Sequence, residues 1–171
     1  MRVFLIGFMA SGKSSVGKKL AKKIDLPFVD LDDYIEGKYN ATIRLLIYEK
    51  GMDAFREIEK NSLDELIHKY EDVLISTGGG TPCFFDNMEL MNLKGMTIYL
   101  EVDIPTLVNR LIHAKKDRPL IWGKTRDDLT IYAKDLLSKR QSDYEKAHYK
   151  ISGKNLKIES LVSLIEEKKR D

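Results

Sequence analysis

The sequence predicts an α/β protein: a three-layer α/β/α arrangement with helices on both faces of a five-stranded parallel sheet. Two observations predict it. Short apolar runs of strand length alternate with helix-period patterns along all 171 residues, and helical crossovers between successive strands make those strands parallel and cover both faces of the sheet. The chemistry-bearing residues also follow directly after the runs, at the carboxyl ends of strands, where open α/β sheets bind their ligands.

Each element has its own signal. Val3-Phe4-Leu5-Ile6 is a buried first strand, and Val16, Leu20 and Ile24 carry the helix after it. Pro27-Phe28-Val29-Asp30 forms a short second strand. Residues 31–47 read as two short helices broken near Gly37 and Asn40. A longer helix over residues 52–70 puts Phe55, Ile58, Leu63, Leu66 and Ile67 on its buried side. Val73-Leu74-Ile75-Ser76 is the third strand and runs into Thr77-Gly78-Gly79-Gly80. A helix near residues 87–93 leads to the fourth strand, 97–102, and Leu107, Val108, Leu111 and Ile112 mark the next helix. Residues 114–124 are polar and basic, hold Pro119 and Gly123, and show no periodicity. Thr125-x-x-Asp128 resembles a capping box at the start of a long helix reaching about Tyr144. A brief strand near 149–151 and a final helix with Leu161, Val162 and Ile165 complete the chain. With no internal repeat or low-complexity segment, residues 1–171 are expected to form a single domain.

Composition narrows the function classes. A net charge of +2, with the basic residues spread among acids, gives no case for a nucleic-acid partner. The single cysteine, Cys83, allows no internal disulfide and fits a reducing compartment. It is either a nucleophile or an inert thiol, and no histidine stands near it in sequence to activate it. Val3–Ile6 is too short for the apolar core of a secretory signal, and nothing approaches the ~20 apolar residues of a membrane span. The expectation is a cytoplasmic protein without a membrane partner.

The strongest motif follows the first strand. Gly7-Phe8-Met9-Ala10-Ser11-Gly12-Lys13-Ser14 is G-x-x-x-x-G-K-S in strand–loop–helix context, the P-loop signature. Glycines let the backbone wrap closely around a polyphosphate, and a helix opening near Gly12 adds unpaired N–H donors and the positive end of its dipole. Lys13 supplies a mobile charge to the outer phosphates, and the Ser14 hydroxyl suits Mg²⁺. A glycine-rich βα turn that binds nothing is the alternative. GTPase switches would need D-x-x-G after the third strand and N-K-x-D for guanine; a triple glycine stands in the first place and the second is missing from the sequence.

Weaker signals sit at the other strand ends. Asp30-Leu31-Asp32 could hold a metal's water shell and accept a proton from an attacking hydroxyl, or could cap the next helix with Asp33 and Glu36 as the capping pair. Arg56, a helical turn from Asp53 and Glu59, reads alone as a surface ion pair. Gly78-Gly79-Gly80 is either a site of close ligand approach or a flexible turn. Arg118 is solvated loop or part of a mobile lid over about 114–125, and Arg140, near Asp143, reads as helix surface.

The set as a whole resembles the shikimate kinases. The P-loop, D-x-D after strand two, Phe55-Arg56-Glu57-Ile58-Glu59, the triple glycine after strand three, Arg118-Pro119-Leu120 and Lys139-Arg140 to Tyr144 stand in that family's order over residues 7–144. Gly51-Met52 replaces a Gly-Glu often found ahead of the F-R-x-x-E stretch. The resemblance implies a P-loop NTPase-type kinase of ATP and shikimate, working as a monomer with Mg²⁺. It implies that Ala10, Ser11, Gly12, Lys13, Ser14 and Ser15 wrap the ATP phosphates, that Ser14 ligates Mg²⁺, and that Asp30 supports the metal through water. Asp32 would bind ring hydroxyls and accept the 3-hydroxyl proton. Arg56 and Arg140 would grip the substrate carboxylate, and Gly79, with Gly78 and Gly80, would give backbone contact. Residues 31–60 become the substrate-binding helical segment. Arg118 would close with the lid onto the phosphates, so Asp32, Lys13 and Arg118 form the expected catalytic set. Arg110 and residues 152–156 are placed near the adenine by position alone. A kinase of another polyol acid, such as gluconate, or of a nucleoside monophosphate is the competing reading within the reaction class.

Overall fold

The computed structural model describes residues 1–113 and 123–170. At its centre is one parallel sheet with strands β1 (Arg2–Ile6), β2 (Phe28–Asp30), β3 (Val73–Ser76), β4 (Met96–Glu101) and β5 (Tyr149–Ser152), in the spatial order β2-β3-β1-β4-β5. β1 lies in the middle, where Val3 aligns with Leu74 on one side and Met96 on the other. Residues Val3 to Ile6 are fully buried, as a continuous apolar run in a two-sided parallel sheet requires.

The period of two along β1 builds the two cores. Phe4 and Ile6 pack into one, and Val3 and Leu5 into the other. The second core is closed by α1 (Lys13–Lys23) and α8 (Ile158–Arg170), through Leu20, Ala21, Leu161 and Ile165. The first is covered by α2 (Leu31–Tyr39), α3 (Ile43–Lys50), α4 (Met52–Lys69), α5 (Asn87–Lys94), α6 (Ile104–Ile112) and α7 (Arg126–Tyr144). The expected layers and strands are therefore present, and the Thr125–Asp128 capping box is formed in both directions.

One expected break differs. Asn40, at φ 49, ends α2, whereas Gly37 lies inside that helix. An exposed helical glycine costs only about 1 kcal/mol relative to alanine, which does not stop a helix capped at its start by Asp30. Asn40 does stop it, because asparagine tolerates left-handed backbone and the Thr42 hydroxyl immediately starts α3 by accepting from Leu45 N at 3.2 Å.

Strand order sets the site. The chain leaves β1 for the edge strand β2 and returns to β3 beside β1. The loops at the carboxyl ends of β1 and β3 are thus neighbours, tied by Thr77, whose N–H and hydroxyl both donate to Leu5 O at 3.1 and 3.2 Å.

Candidate active site

Three residues with positive φ shape the loop after β1: Gly7 at 142°, Ala10 at 62° and Gly12 at 100°. Gly12 precedes α1 without capping it by a side chain, so the first-turn N–H groups of that helix are not taken by a capping side chain, the arrangement that attracts phosphate. Lys13 is 7% exposed and bends back along the loop, donating to Gly7 O at 2.8 Å and Phe8 O at 2.9 Å. Arg110 reaches in from α6. Its Nη1 donates to Ala10 O at 3.2 Å and Ser11 O at 2.9 Å, and its Nη2 to Gly153 O at 3.4 Å. Arg110, expected near the adenine by position alone, is anchored to the loop backbone and to the turn after β5. Ser14 and Ser15 are exposed at the start of α1.

Asp30 caps α2 and also faces the start of α1. Its Oδ1 accepts from Asp32 N at 3.1 Å and Asp33 N at 3.4 Å, capping α2, while its Oδ2 accepts the Ser14 hydroxyl at 2.5 Å. Asp33 and Glu36 are not the capping pair: Glu36 Oε1 accepts from Ile43 N at 3.0 Å and so ties α2 to the first turn of α3. A hydroxyl and a carboxylate are hard oxygen donors, which fit Mg²⁺. Among the described residues no three His, Cys, Asp or Glu side chains gather to hold a metal alone, so a cation here would complete its shell with phosphate oxygens and water, the habit of Mg²⁺.

A second cluster surrounds the triple glycine after β3. Each glycine leaves room for a different side chain. A Cβ on Gly78 would stand 2.7 Å from Glu59 Oε1 and 3.1 Å from Asp32 Oδ1. One on Gly79 would stand 3.6 Å from Arg140 Nη1, and one on Gly80 only 2.6 Å from Arg56 Nη2. Three consecutive residues therefore touch Asp32 from α2, Arg56 and Glu59 from α4, and Arg140 from α7. Gly79 also faces the phosphate loop, with Met9 N 3.0 Å from its would-be Cβ.

Arg56 is not a surface ion pair. Its side chain is 11% exposed and Glu59 1%, with Arg56 Nη1 donating to Glu59 Oε2 at 2.7 Å. Glu59 Oε1 accepts the Thr81 hydroxyl at 2.6 Å, and Arg56 Nε is buried without a hydrogen-bond partner. Arg140 is half-buried rather than on the helix surface, and Asp143, its supposed partner, pairs with Lys146 at 2.9 Å. Tyr144, fully buried, donates its hydroxyl to Gly79 O at 2.5 Å and stacks on Tyr99 at 5.1 Å. Burial raises the Tyr144 phenol, so it stays a donor at neutral pH. Cys83 lies beside the cluster, and burial pushes its thiol up to about 11 against the smaller opposing pull of Arg140; the structure favours the inert thiol.

Glu59 and Tyr144 are built into the cluster, and the Phe84 ring centroid lies 4.2 Å from Arg56 Cζ. Glu59 had a legible signal, since it falls in phase with Phe55, Leu63 and Leu66, an acid on the apolar face of α4. Phe84 follows a short 3₁₀ turn (Thr81–Cys83) and belongs to no periodic pattern. Arg118, the R-P-L stretch and residues 114–122 of the expected lid lie outside the described residues.

The loop after β1 abuts the cluster after β3 at Met9 and Gly79. A P-loop on a parallel α/β sheet, with two guanidinium groups and a carboxylate beside it, fits the class of P-loop small-molecule kinases. The model of the family described as shikimate kinase matches residues 9–168. A shikimate kinase from Parabacteroides distasonis is 48% identical over 159 residues, covering 93% of this chain and 91% of the relative. The solved shikimate kinase from Bacteroides thetaiotaomicron superposes with a TM-score of 0.92 at 42% identity, covering 100% of this chain and 99% of that one. That from Acinetobacter baumannii, in complex with shikimate, gives 0.87 at 30% identity, covering 99% and 95%. This chain belongs to the shikimate kinase family.

Proposed function

We propose that the protein transfers the γ-phosphoryl group of ATP to the 3-hydroxyl of shikimate, giving shikimate 3-phosphate and ADP in aromatic amino acid biosynthesis. The observation that carries this is the meeting of Asp32, Arg56 and Arg140 on Gly78, Gly79 and Gly80, beside the phosphate loop. Two arginines match the planar carboxylate of shikimate better than any arrangement of lysines could. Gripping that carboxylate leaves one ring alcohol directed at the nucleotide, so positioning supplies much of the rate.

In this reading Gly79 and its neighbours meet the substrate through backbone, and Asp32 orients the 3-hydroxyl and accepts its proton. Ala10 to Ser15 wrap the phosphates, Lys13 swings from the loop carbonyls to the outer ones, and Arg118 joins it from the lid. Ser14 and Asp30 would hold Mg²⁺, which when bound neutralises charge on the phosphates. Arg110 stiffens the loop from outside and borders the nucleotide. Both clusters are built by one chain acting as one domain, which supports a monomer. The lone Cys83 and the near-neutral net charge of +2 support a cytoplasmic enzyme without a nucleic-acid partner. No helix among the described residues is long and apolar enough to cross a membrane.

Coupled ADP release with ATP and Mg²⁺ tests the reading. Turnover should appear with shikimate and not with gluconate or AMP; turnover with AMP alone would sink it. Asp32→Asn should lose kcat far more than ATP affinity, and Arg56→Ala should chiefly raise the KM for shikimate.

A further inference from the structure

Phe84 is 36% exposed, yet its ring centroid lies 4.2 Å from Arg56 Cζ. Exposed phenylalanines contribute little to a core, and this one covers a cation. We propose that Phe84 is a positioning residue: an aromatic platform that fixes the Arg56 guanidinium for the substrate carboxylate. The inference rests on the reading of Arg56 as part of the carboxylate clamp.

Two other contacts fix the same group. Glu59 takes Nη1 at 2.7 Å, Gly80 lies against Cζ with room for no Cβ, and the ring provides a further surface. Guanidinium is weakly hydrated and stacks on aromatic faces, so the ring holds it without consuming an N–H that the carboxylate needs. An acid in the same place would compete with the substrate for the charge.

The segment carrying the ring is itself tied to α4. Lys60, one helical turn beyond Arg56, lies 5.2 Å from the Phe85 centroid and pairs with Asp86 at 2.7 Å. Phe85 adopts φ 54, a left-handed conformation that bulky side chains rarely take, and such residues gather at functional sites. Platform and arginine are thus fastened to the same face of one helix.

Phe84→Leu covers similar area without a π face, and Phe84→Tyr restores the ring. We expect Phe84→Leu to raise the KM for shikimate three- to tenfold, with the KM for ATP unchanged, kcat reduced less than twofold, and Phe84→Tyr near wild type. An unchanged shikimate KM in Phe84→Leu, or equal losses for both substrates, would overturn the proposal. The NMR signal of Arg56 Nε–H, assigned by its loss in Arg56→Lys, reads the platform without turnover. Ring current should move it further upfield in the wild type than in Phe84→Leu, which keeps only the Phe55 ring, 5.4 Å from Arg56 Cζ; no difference overturns the platform whatever the substrate. A wild type inert toward shikimate that still shows the ring-current shift would retire the proposed function and leave the platform standing.

Discussion

Gly80→Ala separates close approach from backbone freedom. Gly80 sits at φ −94 and ψ −18, where alanine is comfortable. Loss of unfolded-state entropy alone would therefore make the substitution stabilising by about 0.4–1 kcal/mol. The surroundings predict the reverse. The new methyl would stand 2.6 Å from Arg56 Nη2, 2.7 Å from Nη1 and 2.8 Å from Cζ, where non-bonded heavy atoms need roughly 3.5 Å. The guanidinium must retreat by roughly 0.7–0.9 Å to regain that separation. Phe84 at 4.2 Å and the 2.7 Å bond to Glu59 oppose the retreat. Weakening a hydrogen bond between buried charged groups costs about 1.5–3 kcal/mol, which exceeds the entropic gain. Gly80→Ala should be net destabilised by about 1–2 kcal/mol, lowering Tm by about 2–8 °C for a chain of this length. If Arg56 grips the shikimate carboxylate as proposed, its displacement should raise the KM for shikimate about tenfold, equivalent to about 1.4 kcal/mol, with the KM for ATP unaffected. Thermal melts and coupled ADP release read both. A Tm equal to or above wild type with an unchanged shikimate KM would refute the packing of Arg56 on the triple glycine.

Glu59→Gln keeps the volume and removes the charge beside Arg56; it should cost about 2 kcal/mol in urea unfolding and weaken shikimate binding, and an unchanged midpoint would contradict the buried pair. Tyr144→Phe leaves Gly79 O without its 2.5 Å donor and should cost about 1–2 kcal/mol, with shikimate kinetics affected more than ATP kinetics; equal effects on both would reduce Tyr144 to a core residue. Because burial disfavours the charged thiolate, the Cys83 pKa lies up at about 11, leaving about one thiol in a thousand ionised at pH 8. Alkylation of the folded protein by iodoacetamide should be slow at pH 8 and rise toward pH 11, and a free-thiol rate at pH 8 would show that Cys83 is not buried in this way.

The residues by themselves determined what local chemistry can determine. The apolar run Val3–Ile6, the glycine and lysine spacing after it, the helical periods and the Thr125–Asp128 cap each fix their element within a dozen residues, so all were legible. Asp32, Arg56 and Arg140 are grouped only by the family resemblance, since nothing near any one of them distinguishes a ligand contact from a solvated charge. Only the tertiary structure decided that they meet, because their meeting depends on β3 lying beside β1 and on α7 crossing the end of β3, relations that no local pattern encodes. The same holds for Asp30, which caps a helix and faces Ser14 at once, and for Arg110, bound to a loop about a hundred positions earlier in the chain. Burial turned Arg56 and Glu59 from an apparent surface pair into a fixed, desolvated one. Such contacts depend on which elements the sheet brings together, and strand order is a property of the whole chain.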